Sequence, residues 1–478
     1  MIFALEITIW IIFVFGLFIM AGYLILAYLS YKAMRKYFTR NSFSNYDTIL
    51  NSPLAPPLSL ISPAYNESKT IIDNVHTQLA LYYNNFEIIL VNDGSTDDSL
   101  EKLIATFHLE KKDIQIPKIL ATKAVRGVYK STNPAYKKLT IIDKENGGKA
   151  DALNVGINAS TTNYVTCVDV DCVLEQDSLL RMIKPFIDRT DNKRVIASGG
   201  VIRIANGCVI ENGKLVKVEV PKKFLPRLQV MEYLRAFLLS RMAWSHLDGL
   251  LLISGAFGLF DKEILIKCGG YTLKTVTEDL ELVVRMRRYM HEKKEPYVVT
   301  YIPDPLCWTE VPSSYKILGS QRRRWSSGLT KTLWVHKKIF LNPRYGKLGL
   351  LSYPYWLVCE FLAPIIEVVG IAITLVFVYF NLINWAFFIL LLLFIYTFAI
   401  LFSMFALLSE VETFDEYKKI SDYFKLIYTI LLEPIFFHPF ITLSSILGDI
   451  SLIYRKKSWG KMTRKGFGHE KKTVIVSN

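Results

Sequence analysis

A few short segments hold most of the chemistry this chain can do. Val168-Asp-Val-Asp-Cys172 sets two carboxylates, Asp169 and Asp171, one residue apart. Upstream lie Pro63-Ala-Tyr-Asn-Glu67 and Val91-Asn-Asp-Gly-Ser95; downstream come Thr277-Glu-Asp279 and Gln321-Arg-Arg-Arg-Trp325. Hard oxygen ligands at the end of an apolar run suit Mg²⁺ or Mn²⁺, held jointly with diphosphate oxygens. If the strand continues through the pair, residues two apart face one side and both reach a single cation. An acidic pair of this spacing is also common in solvated turns, so its meaning depends on its companions.

Each companion has a plain structural alternative. In Asn92-Asp93-Gly94 the glycine permits a sharp turn and the carboxylate can accept from a base or ribose; ordinary turn and cap chemistry uses the same residues. Glu145-Asn-Gly-Gly-Lys-Ala-Asp151 lacks Walker spacing and is not an ATPase loop. Paired glycines before a helix can still offer amides to an anion beside Lys149, or form a flexible connection. Thr277-Glu-Asp279 opens an amphipathic helix with Leu280, Val283 and Val284. Acids there complement the macrodipole, and one of them can also deprotonate a hydroxyl. Gln321, Arg324 and Trp325 share a helix face. A guanidinium clamps phosphate and an indole stacks on a sugar, whereas a basic amphipathic helix lying on a membrane would look the same.

The elements that must position these groups alternate. Residues 58–63, 86–92, 139–143 and 164–169 are short β-prone runs, each leading into polar turn residues and a helical pattern such as 69–82 or 97–107. Alternation of this kind predicts an α/β, doubly wound, mostly parallel sheet whose ligands sit beyond the carboxyl ends of its strands. Asn66-Glu67, Asn92-Asp93 and Asp169-Asp171 all fall there. The basic run 121–138, with Arg126, Tyr129 and Lys130, reads as a lipid- or acceptor-facing loop or an insertion.

Apolar residues make up 51% of the 478 and are unevenly placed. Residues 7–29 can cross a bilayer, and the basic residues Lys32, Arg35, Lys36 and Arg40 follow the apolar core, as in an uncleaved anchor with its N-terminus outside. Residues 355–380 and 385–409 form two more spans. Residues 424–454 contain Glu433-Pro434 and His438-Pro439, and a full crossing would put the basic tail (Arg455 to Lys465) outside. An interfacial or re-entrant pair of short amphipathic helices is therefore expected, with a fourth crossing as the alternative. The organisation is thus an anchor (1–32), a cytoplasmic domain (45–345), two spans (353–410) and a final apolar segment with a basic tail (411–478). The net charge of +14 lies largely beside these spans, which points to lipid headgroups rather than nucleic acid. Six scattered cysteines, without zinc or disulfide spacing, suit a reducing compartment.

Taken in order, these segments resemble those of membrane-embedded, inverting glycosyltransferases of family two, the group of cellulose, chitin, hyaluronan and poly-N-acetylglucosamine synthases. The likeness covers about residues 56–325. It implies a GT-A fold flanked by transmembrane helices, a UDP-sugar donor such as UDP-N-acetylglucosamine, and Mg²⁺ or Mn²⁺. Asp93 would contact uridine, with Ala64, Tyr65, Glu67 and Lys149 nearby. Asp169 and Asp171 would bind UDP and metal, and Asp279 would be the base. Gln321, Arg324 and Trp325 would close over diphosphate and acceptor. Ser254, Gly255, Ala256 and Phe257, with Glu278, would hold the acceptor, although Ile253-Ser-Gly-Ala-Phe257 departs from the Cys-Gly pattern of the cellulose enzymes. The implied product is a β-linked polysaccharide made at the plasma or inner membrane, with room for accessory subunits. Because Gln-x-x-Arg-Trp also occurs in ceramide glucosyltransferase-like proteins, single transfer to a glycolipid is the alternative. A non-catalytic nucleotide-sugar binder is weaker, since a binder has no need of Asp279.

Overall fold

The computed structural model describes residues 2–41, 46–50, 52–188, 192–211 and 214–453; the basic tail lies outside them. The strands are Leu58–Ala64 (β1), Phe86–Asn92 (β2), Leu109–Lys112 (β3), Val125–Ser131 (β4), Leu139–Lys144 (β5), Tyr164–Val168 (β6), Val173–Leu174 (β7), Arg194–Ile204 (β8), Val209–Glu211 (β9), Lys214–Lys217 (β10), Phe257–Asp261 (β11) and Tyr297–Thr309 (β12). Ten of them form one sheet in the order β3-β4-β5-β2-β1-β6-β11-β8-β12-β7, and β9 and β10 make a separate hairpin.

The centre of the sheet, β5-β2-β1-β6, is parallel. Its strands are nearly continuous apolar runs because both faces are covered, as parallel sheets require. The margins differ. β11 lies antiparallel between β6 and β8, while β8 and β12 are again parallel. The flanking helices Ile71–Leu79 and Ser99–Phe107 are shorter than the patterns suggested.

The run 121–138 is not a free loop. Its middle is the strand β4, antiparallel to both β5 and β3. Val128 is buried while Arg126 and Lys130 are exposed, so β4 extends the apolar sheet and keeps its charges in solvent.

The helices that matter below are Ile2–Asn41 (α1), Lys149–Ala159 (α2), a helix in three stretches (α3: Phe224–Tyr233, a π-helical Leu234–Ser240, and Arg241–His246), Glu278–Lys293 (α4), Tyr315–Val335 (α5), Leu348–Tyr379 (α6), Trp385–Thr413 (α7), Ile420–Phe436 (α8) and His438–Ile453 (α9). α1, α6 and α7 are long and apolar enough to cross a membrane. α8 and α9 bend by 47° at their junction, so they make either one broken crossing or a re-entrant pair.

These helices are tied to the sheet. α1 continues past residue 32, burying Ala33 and Met34, and Ser30 Oγ donates to Leu238 O of α3 at 2.5 Å. The Tyr37 hydroxyl donates to Asp304 on β12. Arg203 of β8 pairs with Glu410 of α7, and both side chains are almost fully buried. A buried ion pair adds little net stability but is costly to break, which suits it to fixing orientation.

Candidate active site

Loops at the carboxyl ends of β1, β2 and β5 are stitched together by short polar bonds. Asn66 takes a left-handed conformation (φ 55°), and its Oδ1 accepts from Thr96 N at 2.8 Å. Gly94 also has positive φ, and a Cβ there would stand 2.8 Å from Asn146 N, so the turn requires glycine on two counts.

Asp93 is the hub. Its Oδ1 accepts from Lys144 Nζ (2.6 Å) and Gly147 N (2.9 Å), and its Oδ2 from Gly148 N (2.7 Å). Lys144 is fully buried and also reaches Asp151 at 2.7 Å. This corrects one expectation. The amides of the glycine pair point at Asp93 rather than at an incoming anion, because the neighbouring strand end already supplies a carboxylate. Asp93, in turn, shapes this loop and still lines the cavity beside Ala64, Tyr65 and Glu67.

Lys149, first residue of α2, gathers the other segments. Its Nζ stands 2.5 Å from Asp169 Oδ1 and 3.4 Å from Glu278 Oε1, and donates to Gly255 O at 3.3 Å. Burial opposes its charge, but Asp169 and Glu278 outweigh it and hold the ammonium above the ordinary lysine range. Burial pushes the Glu278 carboxyl up; Lys149 opposes this and Asp279 adds to it. Asp279 accepts from Gly255 N at 2.8 Å through Oδ2 and from Leu280 N at 2.9 Å through Oδ1. The base candidate is thereby held to the loop expected to seat the acceptor.

The acidic pair is placed by a turn and not by a continuing strand. β6 ends at Val168, Asp169 N donates to Ala256 O (3.2 Å), and Cys172 N donates to Asp169 O (3.0 Å). Strand alternation therefore does not align the two carboxylates, although Asp169 and Asp171 line the same cavity. Two carboxylates suit a hard divalent cation whose remaining ligands come from diphosphate and water. Among the described residues no group of three or more His, Cys, Asp or Glu is placed to hold a metal alone.

α5 brings Gln321, Arg324 and Trp325 to the same cavity. It approaches the start of α4 so closely that a Cβ on Gly328 would fall 2.3 Å from Thr277 Cγ2. On its other side, Asp449 of α9 accepts from Ser326 Oγ (2.8 Å) and Thr330 Oγ1 (2.7 Å).

α4 is braced from behind by Glu281, which accepts from Arg285 Nε and Thr272 Oγ1, both at 2.8 Å, and meets His336 Nε2 at 3.2 Å. Burial acts to raise its pKa, but His336 and Arg285 prevail and hold the carboxyl down at about 2, against an ordinary 4.5. A carboxylate depressed on folding contributes stability above its unfolded value and loses it as pH falls towards the folded one. Glu281→Gln is therefore expected to lower stability at pH 7 by something on the order of 3 kcal/mol. The gap in melting temperature from the unaltered protein should narrow only below about pH 4.5. An equal gap at pH 7 and pH 3 would contradict this.

Ala64, Tyr65, Glu67, Asp93, Ser254, Gly255, Ala256, Glu278 and Asp279 all line one cavity of about 2430 Å³, as do Lys149, the acidic pair and the three α5 residues. Phe257 does not. It begins β11 opposite Val168 and is wholly buried in the core, because the chain has re-entered the sheet by that point. Lys144, Glu232 and Arg235 were not anticipated. The latter two stand three apart on α3, a spacing that places them on one helix face.

Residues 56–328, more than half of the chain, match the family model described as "Glycosyltransferase like family 2". The chain belongs to this glycosyltransferase family. Among curated members, a poly-beta-1,6-N-acetyl-D-glucosamine synthase of Staphylococcus epidermidis is 29% identical over 311 residues, 63% of each chain. One from Staphylococcus aureus (strain COL) is 28% identical over 272 residues, 57% of this chain and 54% of the relative. The match thus spans under two thirds of these relatives' length. A mannosyltransferase from Pyrobaculum calidifontis, solved with GDP-Man and Mn²⁺, shares the fold at a TM-score of 0.51 and 17% identity, over 90% of this chain and 98% of its own. The GT-A expectation is met.

Proposed function

We propose that this family-two glycosyltransferase moves N-acetylglucosamine from UDP-N-acetylglucosamine onto a growing β-linked polysaccharide at a membrane, with inversion. The observation that carries this is the cavity. Its lining includes the acidic segments and Trp325 together with Arg235, Glu367 and His438 on α3, α6 and α9. The cavity that holds Asp279 is thus shared with helices apolar enough to span a bilayer, which suits a product handed towards the membrane.

In the reaction, Asp279 takes the proton of the acceptor hydroxyl, and the oxygen attacks the anomeric carbon from the face opposite UDP. The bond to UDP breaks and its electron pair leaves with the diphosphate. Lys149 supplies positive charge beside Asp169, and Arg324 can clamp a phosphate. Asp169 and Asp171 would hold Mg²⁺ or Mn²⁺, which when bound neutralises charge on the departing diphosphate. Gly255 N keeps Asp279 oriented throughout.

A second reading, single transfer to a lipid-linked acceptor, has an observation of its own. The same cavity is also lined by Phe13, Ile371, Leu375, Phe388 and Leu392 of α1, α6 and α7, which suit a hydrocarbon chain. Membranes containing the protein should release UDP from UDP-N-acetylglucosamine and form chains many residues long by mass spectrometry. A single added sugar on lipid selects the second reading, and no UDP release with any donor sinks both.

A further inference from the structure

We propose that Glu232 is a positioning residue for transfer, acting through Arg322 on the ring of Trp325. The inference rests on the transferase reading above. Glu232 sits near the end of the first stretch of α3, directly before the π-helical turns, a feature frequent at functional sites. Its two oxygens accept from both Arg322 terminal nitrogens, at 2.6 and 2.7 Å. This fork holds the guanidinium in one plane. That plane lies over the Trp325 indole, 4.3 Å from the ring centroid.

Arg322 is buried, and a charge there needs its partner. Trp325 remains 38% exposed and faces the cavity. The chain therefore runs Glu232, Arg322, indole; all three line the cavity, and the indole is the most exposed of them. An unbraced tryptophan could swing about its side-chain torsions, and a displacement near 1 Å can cost about a hundredfold in rate. Arg322, which lines the same cavity as the clamp residues Gln321 and Arg324, gains a reason to be arginine: lysine could not make the fork and the ring contact together.

The test is a double-mutant cycle in full-length protein in membranes, with UDP-N-acetylglucosamine as donor. Glu232→Gln should lower kcat about tenfold or more, with donor KM within about twofold. Trp325→Phe alone should also be slow. If Glu232 acts through the ring, adding Glu232→Gln to Trp325→Phe should change kcat by less than about twofold. Losses that multiply, or a Glu232→Gln variant as fast as the unaltered protein, overturn the proposal. Should Glu232→Gln fail to accumulate, the pair Glu232→Leu with Arg322→Met removes both charges and enters the same cycle. Normal turnover of that pair overturns the proposal, and a loss masked by Trp325→Phe supports it. No UDP release from the unaltered protein overturns the transferase reading, and this inference with it.

Discussion

Asp279→Asn is expected to lower turnover by about 10²–10⁴, the range a positioned general base contributes, while UDP binding changes little. The substitution keeps the shape of the side chain but removes the site that accepts the proton. It has one structural side effect. Asp279 accepts from two backbone amides, Gly255 N and Leu280 N, on different oxygens. An asparagine can satisfy only one of them with oxygen, and turns an NH₂ group towards the other. A buried amide left unpaired costs about 1–3 kcal/mol, enough to loosen the loop at Gly255 but not to unfold a domain with this large a core. Calorimetry with UDP, set beside turnover, separates the two effects. Lost turnover with retained UDP affinity assigns the proton transfer to Asp279, whereas near-normal turnover removes it from the role.

The second large effect is expected at Asp171. Lys149 already stands 2.5 Å from one oxygen of Asp169, so a cation must share Asp169 with an ammonium. Asp171, buried in the same turn, is the carboxylate on which metal-dependent binding should depend most. In the unaltered protein Mn²⁺ should tighten UDP binding at least tenfold, because the ion joins two anionic partners. In Asp171→Ala this enhancement should vanish, while affinity without metal stays within about twofold. A titration in which Mn²⁺ helps both proteins equally would rule out Asp171 as a ligand.

Much of this site is legible in the linear order of residues. Apolar strands that stop at Asn92 and Val168, with acids just after them, place those acids at one edge of a parallel sheet. Phe86–Asn92 begins and ends where its pattern predicts. Helix starts are similarly local: Thr277-Glu-Asp279 opens α4 because acids suit the first turn and an apolar face follows. The placement of Phe257 was not readable. Residues 254–257 look like one polar-to-apolar loop, and only the pairing of Phe257 with Val168 shows that the chain has already rejoined the sheet.

The sequence by itself determined which side chains are available: the carboxylates at 169, 171 and 279, the cations at 149 and 324, the indole at 325, and the apolar runs around them. Those properties follow from composition and short-range periodicity, which a few neighbouring residues decide. Tertiary structure decided what each group is bound to. It gave Asp93 to Lys144 and the glycine amides, set Lys149 between Asp169 and Glu278, and stood Glu232 behind Arg322 across 90 residues of chain. These pairings form because a buried charge must find a partner when water is excluded, and which partner lies within reach is known only once the sheet and helices have packed.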